Sequence, residues 1–159
     1  MAKVIMTCGK ICSGKSTYSE KLRKENKAVV LSVDEITLAL FEQNIGENHD
    51  EYVEKLEKYL FEKSLDIISV GVNVILDWGF WTKAERDYAR EFYGTRDICY
   101  EFHYLDISED TWHMRLDKRN KGLLAGEVKA YYVDENLQEK VEALFEKPDK
   151  KEIDVWIDT

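Results

Sequence analysis

The sequence predicts an α/β fold in which a mainly parallel sheet is covered by helices on both faces. Three observations carry this expectation. Short apolar runs alternate five times with longer segments of three- and four-residue periodicity. Most of the runs are nearly continuous in apolar residues, as strands buried on both faces require. The first run ends in a glycine-containing turn that opens directly into a helix-like segment.

The elements follow in order. Lys3 to Cys8 (KVIMTC) is a buried-strand run that stops at Gly9, and Lys15 to Lys24 is helix-like. Ala28 to Ser32 (AVVLS) is a second strand, Glu35 to Glu42 begins a helix, and Asn44 to Asp50 (NIGENHD) is turn-rich. Across Glu51 to Val70, the positions Val53, Leu56, Leu60, Ser64, Ile67 and Ile68 recur on one helical stripe. Asp50 suits its N-cap and Gly71 its stop. Val72 to Leu76 (VNVIL) is a third strand that runs into Asp77. Thr82 followed by Glu85 is a capping-box pattern and opens a helix to Tyr93. Ile98 to Leu105 (ICYEFHYL) alternates, is rich in aromatics and reads as a fourth strand. Ser108 to Lys121 and Asp134 to Glu146 are helices, and Ile153 to Ile157 (IDVWI) is the last strand.

The 159 residues are too few for two ordinary domains, and there is no repeat or low-complexity linker, so a single domain over 1–159 is expected. The net charge of -9 disfavours a nucleic-acid partner, because backbone affinity comes from clustered cations. No membrane role is expected, since no run of about 18 apolar residues occurs. Cys8, Cys12 and Cys99 are odd in number and lack metal-ligand spacing, and no secretory pattern opens the chain. Both features imply a reduced, cytoplasmic setting.

The strongest motif is Gly9-Lys10-Ile11-Cys12-Ser13-Gly14-Lys15-Ser16-Thr17, which fits G-x-x-x-x-G-K-[ST] between a strand and a helix. Such a loop cradles phosphate because its glycines let backbone N–H groups approach the oxygens closely. The helix that follows points the positive end of its dipole at the same anion. Lys15 would reach the β- and γ-phosphates and the Ser16 hydroxyl would ligate Mg²⁺.

Three further places name a reaction. Asp34 lies just past the second strand, on the side where open α/β sheets bind ligands, and could accept the proton of an attacking hydroxyl. It could also serve as the N-cap of the helix over Glu35 to Glu42, and the two roles can hold together. Asp77 ends the third strand, the position of a Mg²⁺-holding carboxylate, and Trp78, Phe80 and Trp81 follow it. These aromatics could wall an acceptor pocket or pack beneath the next helix. Arg115 and Arg119 share a helix face and repel one another unless an anion lies between them. A lid over about 108–133 would need such arginines, and Gly122 to Gly126 (GLLAG) could hinge or cap it. Arg86, on the helix after the aromatic cluster, is close enough in sequence to touch an acceptor, and the alternative is a solvated arginine.

With these residues in place, the chain resembles the small P-loop kinase-like family of AAA-type ATPases. Relatives of that family include zeta toxin, chloramphenicol phosphotransferase and the kinase domain of polynucleotide kinase. The match rests on the phosphate loop, Ser32-Val33-Asp34-Glu35, Leu76-Asp77-Trp78-Gly79-Phe80-Trp81, and Tyr104-Leu105-Asp106 leading to Arg115-Leu116-Asp117-Lys118-Arg119-Asn120. The resemblance implies a three-layer α/β/α P-loop kinase fold, with a five-stranded parallel sheet of order 2-3-1-4-5 and an arginine lid. It implies Asp34 as base, Lys15 and Ser16 in the loop roles, and Arg115 and Arg119 in the lid roles. The expected activity is transfer of the ATP γ-phosphate, with Mg²⁺, to a hydroxyl of a small molecule. The alternatives are a nucleotide-binding ATPase or sensor without an acceptor, and a nucleic-acid end kinase.

Overall fold

The computed structural model describes residues 1–43, 46–127 and 131–159. Its strands are β1 (Val4–Cys8), β2 (Ala28–Ser32), β3 (Asn73–Asp77), β4 (Tyr100–Asp106) and β5 (Val155–Asp158). They form one sheet in the order β2-β3-β1-β4-β5, with every neighbouring pair parallel. This is the order the resemblance implied. Parallel neighbours cannot be joined by tight turns, so helices cross between them. The helices are α1 (Lys15–Asn26), α2 (Val33–Phe41), α3 (His49–Ser69), α4 (Lys83–Gly94), α5 (Glu109–Leu124) and α6 (Glu135–Leu144). A short 3₁₀ turn at Lys150–Glu152 precedes β5.

The central strand β1 is buried along its whole length, which accounts for its unbroken apolar run. Its residues alternate between two cores. Val4 and Met6 pack with Val74, Leu76, Leu60 and Phe92 on one face. Ile5 packs with Ile75 and the α1 residue Leu22 on the other. The register sets Ser32 beside Asp77 and Asp77 beside Thr7, so three strands end side by side at one edge. That alignment positions the site.

Local chemistry fixes most element ends. Gly71 adopts φ 81, and the N–H groups of Gly71 and Val72 return to the carbonyls of Ile68 and Ile67. This closes α3 as a Schellman motif. Thr82 and Glu85 make both bonds of the capping box. Two starts differ from expectation. Helix α2 begins at Val33, because the Ser32 hydroxyl accepts from the Glu35 N–H at 3.3 Å. Helix α3 begins at His49, with Asn48 at the N-cap position, so Asp50 lies within the first turn, where a carboxylate favours the helix dipole. Of the expected turn-rich segment Asn44 to Asp50, residues 44–45 lie outside the described residues, 47–48 form a turn, and His49 and Asp50 already belong to α3. Among those described, no helix is long and apolar enough to cross a membrane.

Candidate active site

The phosphate loop is built by backbone conformation. Gly14 stands at φ 97 and Cys12 at φ 59, both in the left-handed region. Helix α1 opens at Gly14 with no side-chain cap and no acid in its first turn. By contrast, Ser32, Thr82, Ser108 and Asp134 cap α2, α4, α5 and α6. The first-turn N–H groups of α1 therefore face the loop without a competing carboxylate, the arrangement that attracts phosphate. Ser13 is fully buried within the loop and its Oγ has no hydrogen-bond partner among the described residues. Gly9 leaves room for it, since a Cβ at position 9 would come within 2.8 Å of that oxygen.

Lys15 donates from Nζ to the Lys10 carbonyl at 2.9 Å. Burial lowers its pKa, and the carboxylates of Asp77 and Asp34 oppose that shift. Asp77 is 8% exposed and accepts from the Thr7 hydroxyl at 3.3 Å. Burial pushes its carboxyl up, while the Lys15 ammonium and hydrogen bonds from Thr7 and Ser16 hold it back. Asp77 and the Ser16 hydroxyl thus stand together as hard oxygen donors beside the loop, the donor set Mg²⁺ prefers. Asp34 is exposed in the first turn of α2. The cap role falls to Ser32, so the Asp34 carboxylate is left facing the cleft, where Lys15 and Asp77 feel its charge.

Helix α5 lies directly on the loop. Arg115 donates from Nη1 to the Ser13 carbonyl at 3.1 Å, and Arg119 donates to the Cys12 Sγ at 3.1 Å. One turn earlier, Trp112 donates from Nε1 to the Ile11 carbonyl at 2.7 Å. The Lys10 side chain turns away from the loop, pairs with Glu109 at 2.7 Å and stands over the Trp112 ring. Sequence reasoning missed Trp112, because an apolar residue on an amphipathic helix gives no hint of the carbonyl it will meet. Gly126, at φ 75, closes α5, with its own N–H donating to the Leu123 carbonyl and the Glu127 N–H to the Gly122 carbonyl, and does not interrupt it. Residues 128–130 of the expected lid lie outside the described residues.

A cleft of about 2580 Å³ runs from this loop past Asp34 and Trp78. Trp78 lines it while stacking on Phe80 and meeting Phe61 edge-on. Of the two other expected acceptor contacts, one is corrected. Phe80 borders the cleft, but it is 2% exposed, with its ring held between Trp78 and Phe102. Arg86 is 1% exposed and spends its guanidinium on the Phe80 and Trp81 carbonyls and on Glu152. Trp81 packs against the buried cluster that contains Trp112 and Leu116, and its indole lies so close to Gly79 that no side chain fits there.

Lys15, Ser16, Asp34, Asp77, Arg115 and Arg119 therefore border one cleft at the carboxyl edge of the sheet. A family model described as an AAA domain matches residues 4–148. The chain belongs to the AAA domain family. Solved structures share the fold of this AAA domain protein at low identity. A sugar kinase from Janibacter sp. HTCC2649 is 18% identical at a TM-score of 0.68, over 99% of this chain and 86% of that one. The Mycobacterium tuberculosis APS kinase CysC, in complex with AMPPNP and APS, is 16% identical at 0.69, over 99% and 88%. A chain of the Pnkp1/Rnl/Hen1 RNA repair complex is 21% identical at 0.71, over 90% and 43%. No curated protein is significantly similar to the chain. These structures place the AAA domain protein among P-loop kinase folds.

Proposed function

We propose that the protein is an ATP-dependent phosphotransferase that acts on a hydroxyl of a small molecule. The observation that carries this reading is the convergence of three kinds of group on one loop. An uncapped helix start and Lys15 suit a polyphosphate. Arg115 and Arg119 stand over the same loop. Asp34 offers a carboxylate across the cleft.

The chemistry follows from these positions. ATP binds with its phosphates on the loop, and Lys15 exchanges the Lys10 carbonyl for a phosphate oxygen. That exchange gives a desolvated ammonium a stronger counter-charge. Asp34 orients the acceptor hydroxyl and takes its proton. The acceptor oxygen bonds to the γ-phosphorus as the bond from that phosphorus to the β–γ bridging oxygen breaks, leaving ADP. Lys15, Arg115 and Arg119 meet the charge that spreads over the transferring oxygens. Ser16 and Asp77 would hold Mg²⁺, which supplies neutralisation of phosphate charge when bound. Trp78 lines the acceptor side.

A nucleic-acid end as acceptor fits poorly. The chain carries a net charge of -9, and Glu54, Glu57 and Glu85 line the far side of the cleft.

The test is a screen of metabolites, nucleosides and antibiotics with γ-labelled ATP, using wild type, Lys15→Ala and Asp34→Asn. Lys15→Ala should abolish transfer. Asp34→Asn should keep ATP binding and lower transfer about a hundredfold or more, the range for losing a general base. Binding of ATP with no acceptor labelled would favour a nucleotide sensor instead, and full activity in Lys15→Ala would rule out this loop.

A further inference from the structure

We propose that Trp112 is a positioning residue, which locks α5 onto the phosphate loop and so holds Arg115 and Arg119 in place before nucleotide arrives. This rests on the phosphotransferase reading for its purpose, but not for its geometry.

Trp112 is fully buried and packs with Ile107, Leu116, Val133 and Val141. Apolar packing alone would be met by leucine or phenylalanine. The indole N–H instead reaches the Ile11 carbonyl at 2.7 Å, 101 positions earlier in the chain. That carbonyl precedes Cys12, whose left-handed φ of 59 shapes the loop. The ring also carries the Lys10 ammonium at 4.5 Å, and that ammonium pairs with Glu109 at the start of α5. The outer half of the loop is therefore gripped by the first two turns of the helix.

The arginines depend on that grip. Positions 112, 115 and 119 share one helix face, and only the first has no charge to donate. A slip of one residue along α5 would move its side chains by about 1.5 Å and turn them by roughly 100°. Both guanidiniums would then leave the loop. Arg119 also keeps its Nε without a hydrogen-bond partner among the described residues, so its guanidinium has a further donor to offer a phosphate oxygen. Fixing such donors in advance matters, because a misplacement of about 1 Å can cost roughly a hundredfold in rate.

The experiment measures binding of a fluorescent mant-ATP probe, with Mg²⁺, to four chains: wild type, Trp112→Phe, Arg115→Ala/Arg119→Ala, and all three changes together. Phenylalanine keeps a ring in the core and loses only the donor. Trp112→Phe should weaken binding about five- to tenfold, in the range of one hydrogen bond. Without the two arginines it should cost less than about twofold, since coupled residues are not additive. An equal cost in both backgrounds would make Trp112 a packing residue and overturn the proposal.

Hydrogen exchange on the nucleotide-free wild type decides the matter should Trp112→Phe fail to fold. Amides of residues 10–13 and 112–119 should open together at one rate; independent opening would overturn the clasp. Failure of wild type to bind mant-ATP would count against the nucleotide reading, and the exchange result would still judge the clasp.

Discussion

Arg86 sits at 1% exposure with Nε 3.2 Å from Glu152 and Nη1 2.9 Å from the Phe80 carbonyl. It ties three separate segments together: the loop after β3, helix α4 and the 3₁₀ turn before β5. Burial works against the Glu152 carboxylate, but hydrogen bonds from the Asp149 N–H and from Arg86 hold it below the usual range. A buried pair of this kind is weak evidence of net stabilisation, yet breaking it from one side is costly. Replacing Arg86 with methionine should cost about 2–3 kcal/mol in urea unfolding at pH 7, the penalty for the Phe80 and Trp81 carbonyls left without a donor, since Arg90 still pairs with Glu152 at 3.3 Å. The Glu152 contribution should be complete above the ordinary glutamate range and fade as pH falls through its lowered value. An Arg86→Met chain within about 1 kcal/mol of wild type would mean the bridge is dispensable. ATP affinity should stay near wild type wherever the variant remains folded, because this guanidinium does not border the cleft.

Helix α3 carries a different kind of tension. Glu57 is half-buried beside the cleft, and its carboxyl is pushed up to about 7 by burial and by the charges of Glu85 and Glu54. Its folded pKa lies above its unfolded one, so the folded chain binds more protons between the two. Stability should thus fall as pH rises from about 4.5 through 7 and stay low above that window. Glu57→Gln should flatten this slope and raise stability at pH 8 relative to pH 5. Denaturation curves for both chains at the two pH values measure it, and an unchanged slope would locate the pH dependence elsewhere. The sequence displayed the stripe of α3 but not Phe61, which four aromatic neighbours bury. It displayed the Thr82–Glu85 box and the Gly71 stop, because those signals are local and chemical. Asp50 misled, since Asn48, His49 and Asp50 offer similar short polar starts and only the chain's entry direction chooses among them. The same limit hid Trp112 and miscast Arg86: helical periodicity marks a buried face but not the surface it will meet. The site was most legible where backbone conformation and residue type coincide, as at Gly14, Lys15 and Asp77.

At the scale of the whole molecule, a chain of net charge -9 gathers Lys15, Arg115 and Arg119 around one loop. Three sequence-distant segments meet there only because the strand order sets β1 between β3 and β4. Lys15, Arg115 and Arg119 donate there to carbonyls and a thiol. A ligand that replaces these partners with phosphate oxygens binds the folded chain alone, and mass action then raises its stability. At a concentration about a hundred times its Kd, the gain is roughly 2.7 kcal/mol. For a chain of this size that corresponds to a rise in Tm of about 5–10 °C. Calorimetry with ATP and Mg²⁺ should show such a rise for wild type. Lys15→Ala should show almost none, and Asp77→Asn should show less with Mg²⁺ than wild type but a similar response to ATP in chelator. The last contrast separates a carboxylate that holds the cation from one that merely balances Lys15. If Asp77→Asn loses the ATP response equally with and without Mg²⁺, its work is to position Lys15, and the cation site must be sought among other oxygens of the cleft.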